Sequence, residues 1–151
     1  MAESGFVHLH LHTEYSLLDG LAVTDRVIAR AKELSMQSIA ITDHGNLYGA
    51  VEFYKKAKLA GLHPIIGCEV YVARRNLQDK NGELDSKSSH LVLLCENNIG
   101  YQNLMKLVSI AFTEGFYYKP RVDMEILQKY SEGLIALSAC INGEVPRMLI
   151  E

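Results

Sequence analysis

Short apolar runs alternate with segments of helical period along this chain, and this alternation constrains the fold more than any other feature. Five runs predict strands, at residues 6–11, 38–41, 64–73, 90–95 and 134–138. Strand–helix alternation is typical of parallel βαβ units. The prediction is an α/β fold with a parallel sheet, either a β/α barrel or a doubly wound sheet.

The segments between the strands carry helical stripes and the residues that begin and end helices. Thr24 is the predicted N-cap of a first helix, whose buried face is Val27, Ile28, Ala31 and Leu34. A second helix should bury Ala50, Val51, Tyr54 and Ala57 and stop at Gly61. A third carries Leu104, Leu107, Val108 and Ala111. Asp123 should cap a fourth, which holds Ile126, Leu127 and Tyr130 and stops at Gly133, and a helical pattern resumes at Glu144. Residues 74–88 are polar and predict a loop or hairpin turn.

Composition fits one soluble domain in a reducing compartment. The chain has 151 residues, 48% of them hydrophobic, and three widely spaced cysteines without a CxxC pair. Neither a signal peptide nor a membrane-length apolar run is present, so we expect a cytoplasmic protein with no membrane partner. A net charge of −3 differs from the basic character of chains that hold nucleic acid alone. Any DNA contact should therefore be local or made by other parts of a larger protein.

The first candidate site is the run His8-Leu9-His10-Leu11-His12. In a strand, alternate side chains share a face, so the three imidazoles should point one way and the leucines the other. Neutral imidazoles at such short range indicate a metal. The alternative is a half-exposed strand whose histidines face water.

Two further candidates follow or interrupt apolar strands. Asp43-His44-Gly45-Asn46 comes directly after the strand at 38–41, where βα folds collect ligands, although these residue types also form ordinary turns. Glu69 interrupts an apolar extended run, so it should be paired or metal-bound if it is buried. If 64–73 is an edge strand, Glu69 could instead face solvent. Cys68 should point the other way and pack in the core.

Taken alone, three more residues are better explained by structural roles than by a functional site. His90 begins a strand, which is the wrong end for a site in a parallel barrel, so a strand-edge histidine is favoured. Cys140 follows the last strand and is typical of an inert core thiol. Asp19 precedes a glycine and is typical of a turn.

Taken together, these residues resemble the PHP (polymerase and histidinol phosphatase) family. The stretches that carry the resemblance are HLHLHTEYSLLDG at 8–20, ITDHGNL at 41–47, PIIGCE at 64–69 and NIGYQNL at 98–104. Residues 15–20 and 98–104 are most similar to the branch found at the N-terminus of bacterial replicative DNA polymerase alpha subunits. The resemblance covers essentially the whole chain.

The resemblance implies a distorted β/α barrel of TIM type with up to three divalent metals in its mouth, zinc, manganese or iron. The implied ligands are His10, His12, Asp19, His44, Glu69, His90 and Cys140. For Asp19, His90 and Cys140 this overrides the blander interpretations, and it does so by resemblance alone. His8 falls outside the motif.

The implied activity is metal-dependent phosphoester hydrolysis. In a DNA-directed DNA polymerase, the substrate would be the 3′ end of a DNA strand and the domain a proofreading 3′–5′ exonuclease, with other replicase subunits as partners. One alternative is a scaffold domain of the polymerase without catalysis. Another is a stand-alone PHP phosphatase for small monoesters, which the polymerase-like stretches disfavour.

The end of the sequence predicts an incomplete domain over residues 1–151. The chain stops in a helical pattern without a stop signal, and five strands are too few to close an eight-stranded barrel. The family's late Asp-x-His metal motif and the polymerase palm aspartates have no counterpart here. A barrel truncated before closure would expose strand edges and apolar faces, which predicts self-association.

Overall fold

The computed structural model describes residues 5–150. This part of the chain contains five strands in one sheet and five helices, joined by loops. In chain order they are α1 Thr24–Glu33, β1 Ser38–Ile41, α2 Ala50–Leu59, β2 His63–Ala73, β3 Ser88–Cys95, α3 Asn98–Thr113, β4 Arg121–Val122, α4 Met124–Lys129, β5 Leu134–Leu137 and α5 Glu144–Ile150. The prediction of an α/β fold is confirmed. None of the described helices has the length and apolar character needed to cross a bilayer.

The sheet is mixed, so the prediction of a parallel sheet is only partly right. Its order is β1-β2-β3-β5, with β4 paired to β2. The β1–α2–β2 unit is parallel, as is the β2–β4 pair. However, β3 runs antiparallel to both β2 and β5. No helix lies in the 74–87 loop, so β2 and β3 lack the crossover that a parallel pair requires and form a hairpin instead.

The predicted strand at residues 6–11 is an irregular extended segment beside β1. The amides of Ala40 and Thr42 donate to the carbonyls of His8 and Leu11 at 2.9 and 2.8 Å. The Leu11 amide donates to the Thr42 hydroxyl rather than to a backbone carbonyl. This side-chain contact interrupts the ladder, because a regular strand exchanges main-chain hydrogen bonds along its length.

The helix predictions are right in position and partly wrong in detail. Val23, not Thr24, is the N-cap of α1, because the Thr24 amide donates to the Glu14 carboxylate at 3.0 Å and Thr24 is already helical. In α2 the buried residues are Ala50, Phe53 and Ala57, which follow the i, i+3, i+7 spacing, so Val51 and Tyr54 are exposed. Leu34, expected on the buried face of α1, is exposed just beyond the helix.

The helix stop and cap expected at two other sites are present. Gly61 has a φ of +80°, and its amide donates to the Lys58 carbonyl at the end of α2. The Asp123 carboxylate accepts the Ile126 amide at 2.9 Å at the start of α4.

The two faces of the sheet have different contents. Cys68, Val70 and Val72 of β2 pack with α3 and α4, while Ile39 and Ile41 of β1 pack with α1 and α2. The opposite face carries a small apolar cluster of Ala40, Val92 and Leu94. Because side chains alternate along a strand, Glu69 and Tyr71 of β2 project from this second face. The candidate site lies here.

Candidate metal centre

Glu69 is the residue on which the candidate site converges. It lies in the middle of β2, a strand paired on both sides, and is 1% exposed. Its Oε2 lies 2.6 Å from His10 Nε2, 3.0 Å from His12 Nε2 and 3.7 Å from His44 Nδ1. Its Oε1 lies 2.5 Å from His90 Nδ1. The solvent-facing, edge-strand interpretation of Glu69 is therefore excluded.

The surrounding imidazoles keep this buried carboxylate ionised. Burial opposes the charge on Glu69, but hydrogen bonding to His12, His90 and His10 outweighs it and holds the pKa far below its ordinary value. We use the name histidine–glutamate cluster for Glu69 and its four imidazole neighbours, which are His10, His12, His44 and His90.

His10 and His12 come from the irregular segment before the first helix, and His8 does not accompany them. The rings of His10 and His12 lie 4.9 Å apart, edge to face. His8 is exposed and packs its ring against Phe6, with centroids 4.8 Å apart. The prediction that all three imidazoles share a face is wrong for His8, because the segment lacks the regular pleat of a strand.

His12 and His44 are stacked, with ring centroids 4.0 Å apart and planes 13° from parallel. Burial favours the neutral form of both rings, but its effect is offset at only one of them. For His12, hydrogen bonding to Glu69 and the nearby negative charges outweigh burial, so its pKa is raised. For His44, burial and the positive charge of His12 dominate, so its pKa is lowered. A neutral His44 keeps a lone pair available for a ligand.

Asp43 positions the segments around the site through hydrogen bonds and is not itself a member of the histidine–glutamate cluster. Its buried carboxylate accepts hydrogen bonds from the Thr13 amide at 2.6 Å, the Thr13 hydroxyl at 2.8 Å and the Ser16 hydroxyl at 2.8 Å. These bonds tie the segment after His12 to the end of β1. Asp43 belongs to the candidate motif at residues 43–46, and in the structure its role is to position neighbouring segments.

Asp19 reaches the site from a loop. Its Oδ2 lies 3.1 Å from His44 Nε2, while Asp19 itself is exposed. The turn interpretation of Asp19 is also satisfied, because the amides of Asp19 and Gly20 donate to the Ser16 carbonyl.

His90 and Cys140 meet on the other side of Glu69. Because β3 is antiparallel to β2, the start of β3 lies beside Tyr71, and His90 comes to the same part of the sheet as the residues after β1. The argument that His90 lies at the wrong end of its strand is therefore wrong. Cys140 Sγ lies 3.5 Å from His90 Nδ1, in the turn that follows β5.

The donors fit a divalent cation. His10, His12 and Glu69 form one group, and His44, Glu69 and His90 a second, with ligand atoms in each group within 4.8 Å of one another. His44 Nδ1 is buried without a hydrogen-bond partner, and Glu69 Oε1 is buried with only His90 Nδ1 beside it. Unpaired buried polar atoms are costly, and a cation would satisfy both. Asp19 and Cys140 border the two groups and belong to neither.

Tyr71 is a neighbour of the cluster that the sequence reasoning did not single out. Its ring lies 5.3 Å from that of His90 and 6.0 Å from that of His44, measured between centroids. Burial and the charges of Glu69 and Asp19 raise the pKa of Tyr71 to about 12, so it keeps its phenolic proton. The available signal was its i+2 relation to Glu69, which puts both on one face of β2.

Comparison with known proteins gives consistent results. The chain is 54% identical over 148 residues to the DNA polymerase III subunit alpha of Borreliella burgdorferi and 51% identical over 150 residues to that of Thermus aquaticus. Each match covers 97% of this chain but only 13% and 12% of the relative, so this chain spans about an eighth of their length. A solved amidohydrolase from Chromobacterium violaceum, with bound sulfate and no metal, is similar with a TM-score of 0.50 and 26% identity, over 70% of this chain and 33% of that one.

A family match spans nearly the whole chain. Residues 8–151 match the family described as the PHP domain, a range that contains every member of the histidine–glutamate cluster as well as Asp19 and Cys140. The predicted α/β fold of PHP type agrees with this match, with a sheet that is not closed within residues 5–150. The chain belongs to the PHP domain family.

Proposed function

We propose that this chain is the PHP region of a bacterial DNA polymerase III alpha subunit and that its histidine–glutamate cluster binds divalent metals for phosphoester hydrolysis. The observation that supports this most strongly is the convergence of four imidazoles on one buried carboxylate. The similarity to polymerase alpha subunits over 97% of this chain supports the parent protein.

The ligand set favours borderline metals. Imidazole, carboxylate and thiolate donors suit zinc, manganese or iron better than magnesium. The residues that would hold up to three such ions are His10, His12, Asp19, His44, Glu69, His90 and Cys140. When bound, the metals supply a Lewis acid for phosphate oxygens and lower the pKa of a bound water.

The chain's own residues orient the ligands and fix their protonation. Glu69 is ionised and placed between imidazoles that come from three parts of the chain. Asp43, through Thr13 and Ser16, ties the loop after His12 to the loop that carries His44. Tyr71 remains a phenol at neutral pH and is a hydrogen-bond donor at the side of the site.

The substrate in the full-length polymerase would be the 3′ end of a DNA strand, which makes the domain a proofreading 3′–5′ exonuclease that works with DNA and other replicase subunits. The competing function is a scaffold domain in which metals only stabilise the fold. Both the exonuclease and the scaffold are expected to bind metal, but only the exonuclease is expected to hydrolyse DNA.

The first prediction concerns metal content. The double variant His10→Ala/His12→Ala should lose most of the bound zinc or manganese, since removing ligands lowers affinity steeply. Metal per chain is measured by plasma mass spectrometry after dialysis against each ion. His8→Ala is the matched control, because His8 lies in the same run but points away from Glu69. The assignment is wrong if the double variant keeps full metal content.

Hydrolysis separates the catalytic function from the scaffold. The full-length polymerase, with its palm aspartates substituted to stop synthesis, should release nucleotides from a single-stranded 3′ end only while His10 and His12 are intact. Metal binding without any release would identify the scaffold function.

A further inference from the structure

An exposed row of aromatic side chains begins on the loop between β1 and α2, which also carries His44 of the histidine–glutamate cluster. The exposed row consists of Tyr48, Phe112 and Phe116, which we call the aromatic row. The ring centroids of Tyr48 and Phe112 lie 6.5 Å apart, and those of Phe112 and Phe116 lie 6.3 Å apart. They are 60, 39 and 50% exposed. Three large exposed rings in contact are unusual on a soluble surface and indicate a binding site.

The aromatic row begins on the loop that carries His44. The Tyr48 amide donates to the Asn46 side-chain oxygen at 3.1 Å, and the Asn46 amide group donates to the His44 carbonyl at 3.0 Å. The row ends at Phe116, and the chain then continues over the same loop. A Cβ at Gly45 would lie 3.0 Å from Pro120 and 3.1 Å from the Tyr71 ring. The loop that carries His44 and the segment that follows Phe116 therefore meet at Gly45 and Pro120, next to Tyr71.

Lys119 places a cation beside Tyr71, a neighbour of the cluster. Its Nζ lies 4.3 Å from the centroid of Tyr71, the ring that contacts His44 and His90. Lys119 is exposed, and no carboxylate within residues 5–150 forms an ion pair with it. The neighbouring Tyr118 has a φ of +58°, in the left-handed region that non-glycine residues rarely adopt, and the Tyr117 amide donates to the Lys119 carbonyl. Strained backbone of this kind tends to occur at binding sites.

We propose that Lys119 binds a phosphate of a single-stranded nucleic acid and that the aromatic row stacks against its bases, which guides a strand end to the cluster. Aromatic stacking combined with a local cation is how proteins hold single strands without reading sequence. This inference rests on the proposed function, because it supplies the substrate-holding surface of the same site.

Charge and position favour a nucleic acid over a protein partner at this surface. Among the described residues no carboxylate pairs with the Lys119 ammonium, while the chain as a whole carries a net charge of −3, so attraction of a polyanion has to be local. The aromatic row joins Tyr48, on the loop that carries the candidate ligand His44, to Phe116, three residues before Lys119. A surface made only for protein contact would have no need of a cation beside Tyr71, the ring that contacts His44 and His90.

The test measures binding rather than turnover. A fluorescein-labelled oligothymidylate is titrated with the 151-residue chain, and anisotropy gives the dissociation constant at several salt concentrations. Phe116→Ala and Tyr48→Ala should each weaken binding about tenfold, as loss of one stacked base does. Lys119→Ala should reduce the slope of log K against log salt by about 0.7, the value for one phosphate contact on a single strand. Lys119→Arg should restore that slope.

Controls come from another face. Tyr54→Ala and Lys55→Ala change an exposed aromatic and an exposed lysine on α2, beside a groove at the start of β2 that is lined by His63, Pro64 and Ile66. Both should bind the oligonucleotide as the unsubstituted chain does. Circular dichroism spectra matching that of the unsubstituted chain show that each variant is folded.

Two results would overturn the inference. One is an unchanged affinity and salt slope in all three alanine variants. The other is a change in oligomer size on gel filtration with unchanged oligonucleotide affinity, which would make the aromatic row a protein contact. Neither result affects metal content, so both leave the proposed function standing. An unsubstituted chain that binds no metal would refute the proposed function separately.

Discussion

Among residues 5–150, four buried carboxylates differ in the partners they have, and the difference separates a candidate ligand from structural groups. Asp123 accepts the backbone amides of Leu77 and Ile126. Asp43 accepts hydrogen bonds from a backbone amide and two hydroxyls. Asp85 pairs with Arg75 through two nitrogens and accepts the Asn81 amide at 2.8 Å. Glu69 instead faces imidazoles through both of its oxygens. Of the four, only Glu69 is surrounded by side chains that could bind a metal ion together with it.

Asp85 predicts an acid-dependent loss of stability. The hydrogen bonds from Arg75 lower its pKa against the opposing effect of burial. A carboxyl group with a lowered folded-state pKa stabilises the fold above its unfolded pKa of about 3.9, and the contribution is lost as pH falls through the folded value. Asp85→Asn should therefore be less stable than the unsubstituted chain at pH 7 and should lose less stability between about pH 5 and pH 3.

Urea unfolding followed by circular dichroism at each pH measures this difference. Glu83→Gln is the control, since Glu83 is an exposed carboxylate in the same loop whose side chain makes no hydrogen bond. Parallel pH profiles for Asp85→Asn and the unsubstituted chain would show that the Asp85 pair does not contribute.

The residues that sequence patterns reveal are those in regular strands. Alternation along β2 correctly separated Glu69 from Cys68, which is fully buried in the core and whose thiol pKa is raised by burial. Asp19 and Cys140 lie in turns, where no period exists to show which way a side chain points. The residue before Cys140, Ala139, has a φ of +60°, which side-chain patterns do not signal. Their approach to the cluster depends on tertiary contacts.

At the level of elements, the direction of β3 determines whether His90 lies near Glu69. Strand–helix alternation favoured parallel pairing, and that inference placed His90 at the wrong end. The loop at 74–87, which contains no helical stripe, was the signal for a hairpin. This loop is fixed by the buried Arg121, whose guanidinium donates to the carbonyls of Gly115, Leu77, Asp79 and Asp85. Such contacts between distant segments leave no pattern in the sequence.

The packing of α3 on the turn before β5 gives a prediction of unusual sign. Gly→Ala inside a helix normally stabilises by up to about 1 kcal/mol. At Gly100 of α3, however, an added Cβ would lie 1.8 Å from the Gly133 carbonyl oxygen, so backbone would have to move. Gly100→Ala should instead destabilise the fold by about 1–3 kcal/mol, as overpacked cores do.

Chemical denaturation of the purified variant measures this effect, and Ser109→Ala provides the comparison. Ser109 is an exposed position of the same helix, where alanine should leave stability unchanged or raise it slightly. If both variants were equally stable, the close approach of α3 to Gly133 would not exist in solution.

At the scale of the whole molecule, the described part of the chain exposes surfaces that folded domains usually cover. β5 pairs only with β3 among the named strands, so its other edge is open. Val145, Met148, Leu149 and Ile150 of α5 are exposed, and no residue of this helix is buried. An open strand edge and an apolar helix face each favour association with another copy.

We therefore expect the 151-residue chain to self-associate in a concentration-dependent way. Leu149→Glu should shift the equilibrium toward monomer, because a charge on the α5 face would have to be desolvated in the contact. Leu149 is 83% exposed, and Leu59→Glu is the matched control, since Leu59 is 91% exposed at the end of α2. Light scattering after gel filtration gives the mass across a concentration series. A constant monomer mass for the unsubstituted chain, or equal shifts in both variants, would show that the β5–α5 surface does not drive association.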